Sequence, residues 1–116
     1  MNAVFRTLIF VLCMASASFA PVKPEVSVSD ARPESGSFIS ARGAGFSPKR
    51  YALSHLRKPD GTEFHVRRFL TNDRGEFFHT VDTNLLELGT HEIWAVDEDS
   101  KIVSNTARFE VLNGLK

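Results

Sequence analysis

The chain has 116 residues, 14 of them basic and 14 acidic, and its formal net charge at pH 7 is zero. Because it has no charge excess and no block of like charges, the composition gives no support for nucleic acid or an anionic membrane surface as a partner. Cys13 is the only cysteine, which excludes a disulfide within the chain. A chain of this length has room for one domain.

The first twenty residues have the pattern of a secretory signal peptide. Arg6 precedes an apolar stretch at 8–15, and small residues follow at 15–20. The apolar stretch is shorter than the roughly 20 residues that a membrane-spanning helix needs. We therefore predict a signal peptide over 1–20, cleaved after Ala17 or Ala20, with no permanent membrane span after cleavage. The exported chain is predicted to be periplasmic or secreted.

Residues 21–116 contain short alternating segments and no long helical pattern. Polar and β-branched residues alternate from residue 25, and clusters of Gly, Pro, Asn and Asp separate the segments. Phe46 is the one large apolar residue between the second and third segments, and we expect it to fill one end of the core. Strands are predicted at 25–30, 38–42, 51–57, 63–70, 77–81, 91–96 and 106–111.

The connections also have recognisable turn chemistry. Residues 58–61 and 72–75 each end in Gly and suit tight turns. Asn84, with Glu87 three residues later, is predicted to cap a single helical turn that Gly89 ends. Seven short strands at regular spacing are typical of a single immunoglobulin-like (Ig-like) β-sandwich of antiparallel strands, predicted over 21–116.

Four motifs follow one another in the order seen in a known family: G-F-S-P at 45–48, P-D-G-T at 59–62, D-R-G-E-F at 73–77, and G-T at 89–90 leading to I-x-A-x-D at 93–97. In this order the chain resembles the bacterial Ig-like domains of exported proteins. The resemblance implies an extracytoplasmic stalk, spacer or binding module. Lys49 stands where such domains usually have Gly, and His91 stands where they usually have the Tyr that makes a corner hydrogen bond.

The sequence offers no catalytic motif, and no enzyme activity or cofactor is predicted. A Gly-x-Ser-x-Gly motif is absent from the sequence, and Ser54 and His55 are neighbours that a strand would point to opposite faces. Asp97, Glu98 and Asp99 are either a calcium-binding loop or a solvated turn; the nearby Lys101 favours the turn.

The alternative function is a periplasmic metal-binding carrier that uses surface histidines. The four histidines, His55, His65, His79 and His91, fall on four different predicted strands. A metal needs three or four ligands at one point. If the fourth strand pairs with the fifth, His79 lies opposite Arg67, and a cation beside a metal is unfavourable.

The arginines of the fourth strand are adjacent and therefore point to opposite faces. We predict Arg67 toward solvent and Arg68 at the rim of the sheet. Because only one of the two can serve a given face, this basic segment does not favour a polyanion groove.

The strongest candidate site is an apolar patch on the outer face of a sheet. If Ala52 and Ser54 point to the core, Tyr51 and Leu53 point outward, and the same argument turns Trp94 outward on the sixth strand. Reversing the phase would instead place Trp94 in the core. The outward phase predicts a surface that binds a protein or glycan of the cell envelope or extracellular space. A further interpretation is that the domain supports an envelope assembly by pairing its edge strands with neighbouring subunits. The predicted binding residues are Tyr51, Leu53, Arg57, Trp94, Val96 and Arg108.

Overall fold

The computed structural model of the chain describes residues 23–114, so the predicted signal peptide lies outside the described residues. Residues 23–114 form seven strands and one short 3-10 helix, η1. The elements are β1 Glu25–Val28, β2 Phe38–Ala44, β3 Tyr51–Arg57, β4 Arg67–Leu70, β5 Phe77–Asp82, η1 Thr83–Leu85, β6 Gly89–Asp97 and β7 Ala107–Val111.

The strands of this part of the chain form two antiparallel sheets, with orders β1-β2-β5 and β4-β3-β6-β7. The predicted single Ig-like sandwich is confirmed. The expected pairing of the fourth strand with the fifth is wrong, because β4 pairs with β3 and β5 pairs with β2. The turn at 72–75, closed by the hydrogen bond from Gly75 N to Asn72 O, carries the chain from one sheet to the other.

The core lies between the sheets and is built from alternate side chains of both. Phe46 is buried, as predicted, and its ring meets that of Phe77 edge to face with 5.4 Å between centroids. Phe77 in turn stacks on Phe69 at 5.4 Å. Burial of each such side chain stabilises the fold by roughly 1.5–3 kcal/mol. The other buried apolar residues are Val26, Ile39, Ala41, Ala52, Val81, Ile93, Ala95, Phe109 and Val111.

Three residues near Phe46, namely Gly45, Lys49 and Gly75, take left-handed backbone conformations. Gly75 has φ +73, and a Cβ atom there would collide with the carbonyl oxygen of Phe46, so this turn requires Gly. Lys49 has φ +54 at the position where the resembling domains have Gly. A residue with a Cβ atom costs roughly 1–2 kcal/mol in this region.

The cap of η1 differs from the prediction. The carboxylate of Asp82, and not the side chain of Asn84, caps the turn by accepting a hydrogen bond of 3.0 Å from Asn84 N. The buried Thr83 hydroxyl donates to Ser37 O at 2.6 Å and so fixes η1 to the residue that precedes β2.

The two sides of the sandwich have differently covered edges. Residues 31–35 run beside β7, with hydrogen bonds from Glu110 N to Ala31 O (2.7 Å) and from Leu112 N to Pro33 O (2.8 Å). On the opposite side β4 and β5 are the terminal strands of their sheets and do not pair. A cleft therefore opens between them. No helix within residues 23–114 is long and apolar enough to cross a membrane.

Candidate binding surface

The outer face of the β4-β3-β6-β7 sheet carries the predicted patch. On β3, Ala52 and Ser54 are buried, and on β6, Ile93 and Ala95 are buried. The intervening residues therefore face outward, which is the predicted phase, and Trp94 is not in the core. The residues that the structure places on this outer face are Tyr51, Leu53, Arg57, Trp94, Val96 and Arg108. Their role in binding stays a prediction.

Strand register brings the apolar residues of this face side by side. Leu53 is directly opposite Val96, and Val96 is in turn opposite Val103. Beside this row, Tyr51 pairs with Leu70. Leu70 is 62% exposed, Val103 52% and Tyr51 37%. We call these five residues the apolar strip; it crosses β4, β3, β6 and the segment that returns from β6 to β7.

Sequence reasoning missed two members of the strip, Leu70 and Val103. Leu70 belongs to this face only because β4 joins β3, which the sequence pattern did not reveal. Val103 lies outside the named strands and reaches the face through an isolated bridge to Val96. One signal in the sequence could have placed Leu70 on the outer face. Neighbouring residues of a strand point to opposite faces, so an inward Phe69 implies an outward Leu70.

Trp94 lies at one end of the strip and is half-buried by its neighbours. The His55 ring stacks on the indole with 5.1 Å between centroids and an angle of 6°. The Arg57 guanidinium carbon lies 4.9 Å from the indole centroid, a cation–π contact. A cavity of about 170 Å³ opens beside the indole, between Arg57, Glu92, Val103 and Thr106. The tryptophan is therefore held in one orientation.

Arginines frame the strip and are held by carboxylates. Glu92 accepts from Arg57 at 3.3 Å and from Arg108 at 3.0 Å, so two cations share one anion at this corner. At the other side, Arg68 bonds both carboxylate oxygens of Glu98 at 2.8 Å, and its guanidinium carbon lies 3.7 Å from the Tyr51 ring centroid. The hydrogen bonds from Arg68 lower the pKa of Glu98. Arg68 thus lies on the outer face over Tyr51.

Asp97, at the end of β6, is only 4% exposed, so the predicted solvated turn is wrong for this residue. Its carboxylate accepts from the backbone N and the hydroxyl of Ser47, both at 2.7 Å, and from Asp99 N at 3.0 Å. Burial alone would raise the pKa of Asp97, but these hydrogen bonds outweigh it and hold the pKa below its usual value. The residue fixes the turn that returns the chain to Val103.

The histidines lie in three separate environments. His55 contacts Glu63 at 3.3 Å on the outer face, whereas His65 and His79 line the cleft between β4 and β5. His91 is fully buried, its Nδ1 lies 3.1 Å from Gly89 O, and its ring stacks on Phe109 at 5.2 Å. In place of a tyrosine corner, this histidine packs inside the core. Among residues 23–114 no three His, Cys, Asp or Glu side chains converge, so the alternative metal carrier has no ligand set in this part of the chain.

No protein-family model matches the sequence, and no curated protein is significantly similar to it. Among solved structures, the chain is similar to CHIR-AB1 at 18% identity and a TM-score of 0.49, covering 79% of this chain and 98% of that one. It is similar to a CARDB domain from Pyrococcus furiosus, solved in complex with di-metal ions, at 16% identity and a TM-score of 0.48, covering 78% and 87%. It is also similar to the cell-surface-expressed multi-modular chitinase ChiW from Paenibacillus sp. str. FPU-7, at 14% identity and a TM-score of 0.49, covering 80% of this chain but 9% of that chain. At these values none of the three assigns a function to the chain.

Proposed function

We propose that this chain is an exported, non-enzymatic Ig-like module that binds a protein partner through the outer face of the β4-β3-β6-β7 sheet. The observation that carries the proposal is the contiguous apolar strip, which crosses several strands and is framed by arginines in fixed positions. Contiguous exposed apolar surface of this kind marks interaction sites on soluble proteins. Trp, Tyr and Arg are the residues that contribute most at such sites.

Two features support the exported and non-enzymatic parts of the proposal. The pattern of residues 1–20 supports export. Ser54 faces the core while His55 lies on the outer face, so these sequence neighbours do not form a nucleophile and base pair.

The composition of the face favours a protein over a glycan. A sugar ring that stacks on tryptophan needs a free indole face, but His55 and Arg57 already contact the Trp94 ring. The most exposed members of the strip are instead aliphatic, Leu70 and Val103. Aliphatic side chains bind by desolvation, which an apolar protein surface supplies.

The charged frame gives the partner an orientation. Arg57 and Arg108 share Glu92, so one positive charge at this corner is not balanced within the trio. An acidic group at the rim of the partner would complement it. Because their ion pairs already hold these arginines in place, binding immobilises them at a lower entropic cost.

The test uses charge substitutions at matched positions on the two outer faces. The exported protein is immobilised and used to capture proteins from the envelope fraction of its producing cells. Leu70→Asp and Val103→Asp, both on the strip, should each reduce capture of a specific protein at least about tenfold, since a buried unpaired charge at an interface costs several kcal/mol. Phe38→Asp and Phe78→Asp lie on the other sheet at similar exposure and should leave capture unchanged.

Two outcomes would contradict the proposal. If all four variants capture the same protein equally, binding does not use the strip. If enzymatic removal of glycans from the envelope fraction abolishes capture while the protein component is intact, the partner is a glycan.

A further inference from the structure

A second candidate site lies on the opposite side of the same sheet, in the cleft between the terminal strands β4 and β5. It encloses a cavity of about 420 Å³. Its inner wall is apolar and includes Leu56, Val81, Leu86 and Ile93. Cavities of this size and character are typical of small-molecule sites, which run from roughly 300 to 1,000 Å³.

The cleft exists because β4 is short. β4 pairs with β3 only over Tyr51–Ser54, and the chain meets β3 again through the hydrogen bond from Phe64 N to Leu56 O at 2.9 Å. Between these contacts His65 and Val66 are exposed and leave the side of the sandwich open. The opening leads inward between the sheets.

The cleft also has polar side chains, and Arg67 and His79 both line it. Burial and the positive charge of Arg67 together lower the pKa of His79. Arg67 makes no ion pair among residues 23–114; its guanidinium carbon lies 5.6 Å from the Phe69 ring centroid.

We propose that this cleft binds an organic carboxylate with an aliphatic body. The carboxylate lies at the Arg67 end, where it pairs with a cation that has no other anion, and the aliphatic body extends along Leu56, Val81 and Ile93. A peptide strand added to the edge of β4 or β5 would lie outside the cavity and leave it unfilled, so a ligand that enters the cleft fits the geometry better. The site is separate from the proposed protein-binding face.

The test is an NMR titration of the isotope-labelled exported protein with sodium octanoate below its micelle concentration. We expect resonance shifts at His79, Val81 and Leu86. Octanol and octyltrimethylammonium have the same aliphatic body without the anion and should bind at least about fivefold more weakly, because a charge-assisted contact is lost.

Adjacent arginines supply a matched pair of variants. Arg67→Gln should weaken octanoate binding about fivefold or more, and Arg67→Lys should retain most of it. Arg68→Gln, one residue away on the outer face, should leave octanoate binding unchanged. The same substitution is thus made on either side of one strand.

Several results would overturn the proposal. They are the absence of shifts at the cleft, equal affinity for octanoate and octanol, or equal affinity of the wild-type and Arg67→Gln proteins. Shifts confined to the backbone of β4 on addition of an apolar peptide, with none from octanoate, would replace it with strand addition. None of these results bears on the charge-substitution test of the outer face.

Discussion

The two outer faces of the sandwich expose similar kinds of side chain but arrange them differently. On the β1-β2-β5 sheet, Phe38 is 68% exposed and Phe78 is 61% exposed, which is comparable with Leu70, the most exposed member of the apolar strip at 62%. Yet the two phenylalanines are separated by the polar pair Ser40 and Thr80. On the four-stranded sheet the apolar residues adjoin. Exposure of single residues therefore does not identify a binding face; their arrangement does.

Strand register is the physical cause of the difference. Between β2 and β5, Phe38 lies opposite Asp82 and Phe78 lies opposite Arg42, so each exposed aromatic side chain has a polar partner. Between β3 and β6, Leu53 lies opposite Val96. A shift of either register by one residue would move these side chains to the other face.

The largest expected effect compares the outer face with the core. Phe109→Ala removes a side chain that is 1% exposed and should lower the free energy of unfolding by about 3–5 kcal/mol. Trp94→Ala removes a larger but half-buried side chain from the outer face and should cost about 1–2 kcal/mol. Urea denaturation measures both. An equal loss of unfolding free energy in the two variants would mean that Trp94 is a core residue, which contradicts its position on the outer face.

The next effect concerns the turn that holds Val103 beside Val96. Asp97→Ala leaves the amide and hydroxyl of Ser47 without their acceptor and should lower the free energy of unfolding by about 2–3 kcal/mol. It should also increase amide exchange over 97–103. Asp99→Ala, in the same turn but exposed, is the matched control and should change stability by less than about 0.5 kcal/mol. Equal effects would mean that the Asp97 hydrogen bonds do not anchor the strip.

A smaller effect is expected in how the stability of the fold changes as the pH is lowered. Hydrogen bonds from Asn72, Arg42 and Arg74 lower the pKa of Glu76 from 4.5 to about 2, and the pKa of Asp97 is also lowered. Both groups bind protons more readily when unfolded, so their stabilisation is complete above about pH 4.5 and is lost as pH falls toward 2.

Paired variants separate the two contributions to acid stability. Glu76→Gln, next to the β1-β2-β5 face, and Asp97→Asn, next to the other face, should each flatten the pH profile of the melting temperature in this range. A profile with the same slope in either variant would show that the carboxyl in question does not contribute.

The smallest effect is a stabilisation that should leave both faces unchanged. Lys49→Gly relieves a left-handed residue and should raise the free energy of unfolding by up to about 1 kcal/mol. The ion pair of Lys49 with Asp73 is highly exposed and its loss costs little. Lys49→Ala keeps the Cβ atom and should give no gain. A gain in both variants would assign the effect to the lost charge.

The period-2 alternation of the sequence was enough to predict most of the fold, but it left two phases open for the candidate face. The predicted third strand, 51–57, matches β3. Of the two phases, the structure has the one in which Ala52 and Ala95 are buried and Trp94 faces outward. Alternation shows which residues share a face of a strand, and the packing of the two sheets decides which face is buried.

Features that depend on non-local pairing could not be read from the sequence. Whether β4 joins β3 or β5 depends on which free edge it meets, and its four residues fit either. The outward position of Leu70 and the cleft both follow from that choice, whereas Val103 depends on its isolated bridge to Val96. The burial of Asp97 likewise depends on donors from Ser47, fifty residues earlier in the chain.

The most direct test of the central proposal is acrylamide quenching of Trp94, the only tryptophan in the chain, in the free protein and in complex with the captured protein. We expect the emission of the free protein to be quenched by acrylamide, because the indole lies on the outer face, and the quenching to fall when the partner covers that face. An emission equally quenched with and without the partner would contradict binding at this surface. An emission already fully protected in the free protein would contradict the position of Trp94 itself.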